Sequence, residues 1–239
     1  MILFTSFHFI LVAAAVIPAI ALLIYVYKED RLEKEPPQMI IKLVFMGIIS
    51  TLLASFTERI GMSILGSMFS ENSFMYRALL YFVVVAFSEE GFKFLVLKWG
   101  SWRSPEFNCK FDGVVYAVAV SLGFALWENI QYVLAYGFGT ALVRSVTAVP
   151  GHACFGVLMG GWYGLAKRKK VQGWFSASRL ASVFAVVFPA LVHGAYDFIA
   201  TNETSAGTLA FIVFVVIMFV VCFYTVRRLS TEDKFLEEE

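Results

Sequence analysis

Eight polar side chains interrupt four long apolar stretches of this sequence. They are Glu89, Glu90, Lys93, Glu128, Asn129, His152, His193 and Asp197. A charged side chain at the centre of a membrane helix costs about 2.5–3.5 kcal/mol on insertion scales, and such groups usually mark a functional site. Two of the three histidines of the chain belong to this set. The pattern therefore predicts a polar site inside an otherwise apolar protein.

The spacing of these residues predicts which of them share a helix face. Glu89 and Lys93 are four residues apart, as are His193 and Asp197, and residues at this spacing are neighbours on a helix. The carboxylate of Asp197 can therefore hold the imidazole of His193. His152 belongs to a ladder of small residues at the same spacing, which comprises Ala148, Gly156, Gly160 and Gly164. Small residues let membrane helices approach closely, so we expect His152 to face the protein interior.

Carboxylates and imidazoles in one site are suited to the activation of water. A glutamate can act as general base toward water while a histidine polarises a carbonyl or stabilises the oxyanion. Alternatively, Glu90, His152 and His193 could bind Zn²⁺ and leave a fourth position for water. Both routes predict hydrolysis of a carbonyl compound inside the membrane. The residues leave the two routes open, and they do not choose between Glu89 and Glu90 as the base.

We expect each residue to have a distinct role in this chemistry. The predicted catalytic residues are Glu89, Glu90, Glu128, His152 and His193, and the supporting residues are Lys93, Asn129 and Asp197. Lys93 is expected to tune the glutamate pair, Asn129 to order the site and Asp197 to orient His193. Taken singly, such groups also form buried ion pairs or hydrogen bonds between helices. Their occurrence in four successive apolar stretches favours a functional site.

The composition predicts that membrane helices position these residues. Of 239 residues, 59% are hydrophobic and 15% are charged, which excludes a soluble globular enzyme, a disordered chain and a cationic nucleic-acid-binding protein. Seven stretches are long enough to span a bilayer: about 3–27, 38–57, 74–97, 112–135, 143–166, 178–200 and 206–226. The apolar stretch 60–70 is short and contains Gly and Ser, so we expect an interfacial or re-entrant segment or an eighth span. The predicted fold is a single all-α polytopic membrane bundle over residues 1–239.

The distribution of Lys and Arg predicts the orientation of this bundle. Of the 19 basic residues, 14 fall in loops one, three and five and in the C-terminal tail, and three, Arg59, Arg77 and Arg144, fall on the opposite side. Because basic loops stay in the cytoplasm, the tail is predicted to be cytoplasmic and the N-terminus to lie outside. A rise of 1.5 Å per residue places the polar groups about 11–22 Å below the outer surface. Glu58 and Arg59, at the outer end of the second span, are expected to form a boundary ion pair.

Four motifs in this order resemble the PrsW family. They are Glu-Glu-x-x-Lys at 89–93, Phe-x-x-x-Glu at 124–128, the single His152 and His-x-x-x-Asp at 193–197. Further similarity lies at residues 28–30, 35–36, 111–116 and 121–130. Each motif alone is weak, but four in order on four spans are specific. The resemblance covers nearly the whole chain.

This resemblance implies an intramembrane protease in the cell membrane of a bacterium. Proteins of this family make the first, extracytoplasmic cut in a membrane-anchored anti-sigma factor, and a second protease then completes release of the sigma factor in a stress response. The expected partners are therefore a single-span membrane substrate and the lipid bilayer, without nucleic acid. The resemblance also implies a relation to the prenyl-protease and bacteriocin-immunity superfamily, whose members carry similar Glu and His motifs. Whether a metal takes part has been argued both ways for such proteins, and the expected metal is zinc. The paired glutamates, Lys93, Glu128, His152 and His193 match the family's motif positions.

Two other functions remain compatible with the sequence. A CAAX-type prenyl protease of the same superfamily would cut near the cytoplasmic face. A proton-coupled transporter could use the same carboxylates and imidazoles as a relay. Transporters often contain inverted repeats, and this sequence contains none that we detect.

Overall fold

A computed structural model describes the backbone of residues 2–237 and their side chains except for residues 2–11, 14, 15 and 141. The described chain is helical throughout, apart from loops and an isolated bridge between Cys109 and Phe235. The helices are α1 (Ile2–Glu29), α2 (Pro37–Met68), α3 (Phe74–Leu79), α4 (Ala86–Ser101), α5 (Asp112–Tyr136), α6 (Phe138–Val146), α7 (Ala148–Val171), α8 (Phe175–Ala200) and α9 (Ser205–Thr231). A π-helical segment, Leu80–Val85, joins α3 to α4. The prediction of an all-α protein is confirmed.

Helix α5 lies at the centre of the bundle and packs against α1, α2, α4 and α7. Every residue from 112 to 125 is buried, on all sides of the helix. A helix that is apolar around its whole circumference is stable only when other helices surround it. The first half of α5 is therefore a fixed frame for Glu128 and Asn129, which follow in the same helix.

Small residues bring α7 into direct backbone contact with α5. A Cβ atom on Gly160 would lie 2.4 Å from Cα of Val114, and one on Gly164 would lie 2.1 Å from the carbonyl oxygen of Lys110. Such distances are not tolerated, so only glycine permits this approach. The predicted face of small residues on α7 is confirmed, and His152 on that face is 4% exposed.

Local sequence signals account for several helix boundaries. Pro37 occupies the first turn of α2, where its missing N–H needs no partner. The Ser73 hydroxyl caps α3 by accepting the amide of Tyr76 at 3.1 Å. Gly137 separates α5 from α6 with a φ of 84°, a positive value that glycine adopts without a steric cost. Thr204 caps α9 by accepting the amide of Gly207 at 3.0 Å.

Among the residues that the structure describes, five helical stretches are long and apolar enough to cross a membrane. They are Pro37–Met68, Asp112–Tyr136, Phe138–Val171, Phe175–Ala200 and Ser205–Thr231. Each contains one of the seven predicted spans. The predicted span 74–97 is divided among α3, the π segment and α4, and it contains the charged residues Arg77, Glu89, Glu90 and Lys93. It is therefore not one of these five apolar stretches. The predicted span 3–27 coincides with α1, in which many side chains lie outside the described residues.

The prediction of a separate interfacial or re-entrant segment at 60–70, or of an eighth span there, is wrong. Residues 60–68 continue α2 without a break, and the helix ends at Met68. Gly61 contacts the side chain of Val84 in the π segment, so this glycine allows helix packing rather than a turn. Each amide inside a continuous helix is satisfied within the helix, which an apolar environment favours over a loop.

Three chain segments meet at the end of the bundle where α5 begins. The loop before α5 is paired with the C-terminal tail, since the amide of Leu236 donates to the carbonyl of Asn108 at 2.8 Å. The amide of Phe111 donates to Oδ1 of Asp233 at 2.9 Å. The loop between α1 and α2 reaches the same region, where Tyr116 of α5 donates a hydrogen bond to Glu35. These contacts fix the start of α5.

Candidate active site

The helices α4, α5, α7 and α8 bring all eight predicted polar residues into one connected cluster. Glu89, Glu90 and Lys93 come from α4, Glu128 and Asn129 from α5, His152 from α7, and His193 and Asp197 from α8. The π segment immediately precedes the α4 residues. Such segments are common at functional sites, because the additional residue per turn changes the direction of the following side chains.

Lys93 lies at the centre of this cluster. Its Nζ atom lies 2.7 Å from Oε1 of Glu90, 3.2 Å from Oε2 of Glu89 and 3.1 Å from Nδ1 of His152. The same ammonium lies 4.0 Å from the ring centroid of Phe124. Lys93 is completely buried, so its charge is compensated by the two carboxylates and the aromatic face.

His193 is surrounded by carboxylates. Its Nδ1 atom lies 3.0 Å from Oε1 of Glu90. Its Nε2 atom lies 3.3 Å from Oδ2 of Asp197 and 3.9 Å from Oε2 of Glu89. The ring stacks on Phe155 with centroids 4.5 Å apart. The predicted orientation of His193 by Asp197 agrees with this contact.

His152 and Glu128 form a second pair, and Arg144 joins it. Nε2 of His152 lies 2.8 Å from Oε2 of Glu128. Arg144 of α6 lies 2.9 Å from the same oxygen and donates a hydrogen bond to Oδ1 of Asn129 at 3.1 Å. Its guanidinium also lies 3.9 Å from the ring centroid of Tyr132. Arg144 therefore holds Glu128 and Asn129 in place together.

A cavity of about 730 Å³ opens onto one side of this cluster. Glu89, Glu128, His152, His193 and Asp197 line it. The π segment, α2 and α6 form the remaining walls, which carry apolar, hydroxyl and charged side chains. This volume falls within the range of about 300–1,000 Å³ that is usual for small-molecule sites.

The two adjacent glutamates occupy different environments. Glu89 is 6% exposed and lines the cavity, whereas Glu90 is completely buried and is not part of the cavity wall. Glu90 accepts from both Lys93 and His193 through Oε1. The arrangement makes Glu89 the carboxylate that water can reach and Glu90 the carboxylate that holds the cations.

Two residues of the site were not predicted from the sequence. Arg144 was counted only as a basic residue of the outer side, although it is the ion-pair partner of Glu128. Glu58 was expected to pair with Arg59, but both residues line the cavity and form none of the ion pairs found in the described chain. Adjacent residues on a helix do not face each other. A signal for both was available, because Glu58 directly follows the predicted span 38–57 and Arg144 lies at the start of the predicted span 143–166.

Three residues of the cluster could hold a metal ion. Glu89, Glu90 and His152 offer ligand atoms within 4.8 Å of one another, and two carboxylates with one imidazole suit Zn²⁺. Lys93 Nζ lies among these atoms in the present arrangement. The donor set therefore fits a metal, provided that the lysine side chain moves aside. His193, which was also predicted as a ligand, contacts Glu90 and Asp197 instead.

The helical fold and the buried glutamate–histidine cluster beside a cavity are typical of an intramembrane hydrolase. A family model described as "PrsW family intramembrane metalloprotease" matches residues 35–225, and the chain belongs to this family. It is accordingly a multi-pass membrane peptidase of bacterial type. No solved structure matches the chain.

Several relatives are similar over most of their length. Protease PrsW of Oceanobacillus iheyensis is 33% identical over 218 residues, which cover 91% of this chain and 95% of the relative. Protease PrsW of Geobacillus kaustophilus is 34% identical over 201 residues, covering 83% of both chains. Protease PrsW of Clostridioides difficile is 32% identical over 211 residues, covering 85% and 84%. The resemblance found in the sequence is confirmed.

Proposed function

We propose that this protein makes the first, extracytoplasmic cut in a membrane-anchored anti-sigma factor and thereby leads to release of a sigma factor under stress. The observation that carries the proposal is the position of Glu89, which lines a cavity shared with His152 and His193. The cavity is formed by the second half of α2, the π segment, α6 and the last turns of α8. These parts are remote along the chain from the basic loops, which are expected in the cytoplasm.

The proposed mechanism begins with Glu89 as the general base. Its carboxylate faces the cavity and can take a proton from a water molecule that attacks the scissile carbonyl. Lys93 contacts Oε2 of Glu89 and holds that oxygen in position. Glu90 remains on the buried side and compensates the charges of Lys93 and His193. Glu89 can then return the proton that it took from water to the leaving amine.

The two histidines are proposed to stabilise the oxyanion. His193 has carboxylates at both ring nitrogens, which favours the doubly protonated ring as donor. Nδ1 of His152 faces the Lys93 ammonium, which only donates, so its proton lies on Nε2 beside Glu128. A shift of either ring toward the cavity would present a donor to a carbonyl in the cavity.

A metal is the second route that the donor set allows. Zn²⁺ held by Glu89, Glu90 and His152 would supply a water molecule of lowered pKa and a Lewis acid for the carbonyl. Under this route Lys93 leaves the centre of the cluster, while Arg144 continues to hold Glu128.

The orientation of the bundle is part of the proposal. We infer seven spans, with α1 and residues 74–101 added to the five apolar stretches, an outer N-terminus and a cytoplasmic tail. The basic residues at the ends of α1, α4, α7 and α9 support this orientation. It places the cavity in the outer half of the bilayer and favours an extracytoplasmic cut over a CAAX-type cut near the cytoplasm. Because the chain belongs to a protease family, the alternative function as a proton-coupled transporter is disfavoured.

Co-expression with a tagged single-span anti-sigma factor tests the proposal. We expect a fragment that corresponds to a cut on the outer side of the substrate helix, and we expect Glu89→Gln to prevent its formation. Mass spectrometry of the fragment locates the cut. A fragment that ends on the cytoplasmic side, or an unchanged fragment from the Glu89→Gln protein, would contradict the proposal.

A further inference from the structure

A second buried cluster of carboxylates lies at the opposite end of α5 from the candidate active site. Asp30 and Glu35 belong to the loop between α1 and α2, and Asp112 begins α5. One oxygen from each residue lies within 4.8 Å of the other two. Sixteen residues separate Asp112 from Glu128, which corresponds to about 24 Å along the helix. The cluster is therefore independent of the catalytic residues.

All three carboxylates are removed from solvent. The exposed fractions are 0% for Asp30, 3% for Glu35 and 0% for Asp112. Buried carboxylates are normally paired with a cation or coordinate a metal. None of the ion pairs within the described part of the chain includes any of the three. The three buried carboxyl groups therefore have no ion-pair partner among the described residues.

The nearest lysine along the chain is used elsewhere. Lys34 Nζ donates to the backbone carbonyls of Tyr27 at 2.8 Å and Lys28 at 3.1 Å, and also to that of Asp30. These carbonyls are at the C-terminal end of α1, where a cation is favourable. The lysine thus caps the helix and forms no ion pair with the Asp30 carboxylate.

The carboxylate of Asp30 differs from the other two in its contacts. Both of its oxygens are buried, and neither has a hydrogen-bond partner within the described part of the chain. Oδ2 of Asp112, in contrast, accepts the amides of Asn108 at 2.9 Å and Cys109 at 2.6 Å. Glu35 accepts the hydroxyl of Tyr116. Because an Asp30 oxygen points into the cluster, it indicates a ligand there.

We propose that Asp30, Glu35 and Asp112 bind a hard divalent cation, of the class of Mg²⁺ and Ca²⁺. The available donors are carboxylate oxygens, which these cations prefer over the nitrogen and sulfur ligands of zinc. The ion joins the α1–α2 loop to the start of α5. Both are next to the C-terminal tail, which pairs with the loop before α5. The cation therefore stabilises this end of the bundle and takes no part in catalysis.

Binding is tested with the full-length protein purified in detergent and stripped of metal with EDTA. After the chelator is removed, Mn²⁺ serves as the probe, and electron paramagnetic resonance counts the bound ions. We expect Asp30→Asn to bind one ion fewer per chain than the unmodified protein. Glu33→Gln is the matched control, because Glu33 is an exposed carboxylate of the same loop. Equal Mn²⁺ binding by the Asp30→Asn and unmodified proteins would overturn the proposal.

The thermal unfolding midpoint tests the stabilising role. Saturating Mg²⁺ or Ca²⁺ should raise the Tm of the stripped protein by about 5 °C, and the larger shift identifies the preferred ion. Glu89→Gln should retain this shift, which separates the cluster from the active site, whereas Asp30→Asn should lose it. Glu35→Gln provides a second variant if Asp30→Asn does not fold. A cluster that holds only shared protons would show no shift with either cation, and the proposal would then fail.

Discussion

Nζ of Lys93 lies 3.1 Å from Nδ1 of His152, so an ammonium and an imidazole from two helices meet inside the bundle. An ammonium has no acceptor, and the imidazole nitrogen must therefore accept. This contact fixes the proton of His152 on Nε2, which faces Glu128 at 2.8 Å. It also places the lysine charge where three potential metal ligands converge. A metal bound to these ligands would displace Lys93 and would thereby remove the contact that keeps the proton of His152 on Nε2.

Glutamine variants should separate the roles of the adjacent glutamates. Glu89→Gln is expected to lower the cleavage rate by at least about 10³-fold, because a cavity-facing base is removed. It should lower Tm less than Glu90→Gln does, since its contacts with Lys93 and His193 are longer, at 3.2 Å and 3.9 Å. Glu90→Gln should lower activity and also destabilise the protein by about 3–5 kcal/mol, since it breaks buried pairs with Lys93 and His193. Cleavage assays and thermal unfolding of both proteins provide the comparison. Equal losses of stability would contradict the assignment.

The sequence was sufficient to predict which residues belong to the site, because each polar residue inside a membrane helix is costly and therefore usually functional. The eight predicted residues do form one cluster. Spacing also predicted the contact of His193 with Asp197 and the small-residue face of α7, since both lie within a single helix. Such features depend only on helix geometry, which the sequence determines locally.

Contacts between helices could not be predicted in the same way, because spacing does not specify how one helix is rotated against another. Glu128 pairs with Arg144, and Lys93 contacts His152, across different helices. The continuation of α2 through residues 60–68 was missed for a related reason. Gly and Ser indicate the end of a helix when a segment is considered alone. The contact of Gly61 with Val84 shows that packing against the π segment favours a continuous helix here.

Arg144 should be required for efficient cleavage although it was not among the predicted residues. Arg144→Gln removes the ion pair with Glu128 and the hydrogen bond to Asn129, so we expect kcat to fall roughly 10- to 100-fold. Arg144→Lys should restore only part of the rate, because lysine lacks the planar fork that binds both partners. Arg77→Gln removes a charge on the same side, outside the cavity, and serves as the control. A normal kcat for Arg144→Gln would show that Glu128 needs no positioning.

The inferred orientation predicts the behaviour of reporter fusions. Green fluorescent protein fused after Gln172 or at the C-terminus should fluoresce, because both positions follow basic segments that remain in the cytoplasm. Alkaline phosphatase fused after Glu203 should be active, since Glu203 lies in the loop between α8 and α9, which the inferred orientation assigns to the outer side. The reverse pattern at these three positions would invert the bundle and place the cavity near the cytoplasm.

Removal of Lys93 should strengthen zinc binding. In the unmodified protein its ammonium lies 2.7–3.2 Å from Glu89, Glu90 and His152, so a metal must displace it. Lys93→Ala leaves two carboxylates and an imidazole around an open position, and we expect its Zn²⁺ affinity to rise about tenfold or more. Competition with a fluorescent zinc chelator measures this affinity without an activity assay.

Lys98→Ala is the matched control for this measurement, because Lys98 is an exposed lysine of the same helix and lies outside the cluster. Its zinc affinity should equal that of the unmodified protein. The double variant Lys93→Ala, His152→Ala should lose the gain, since one of the three ligands is removed. Unchanged or weaker zinc binding by Lys93→Ala would mean that the lysine and the metal do not compete, and that the metal binds elsewhere in the protein.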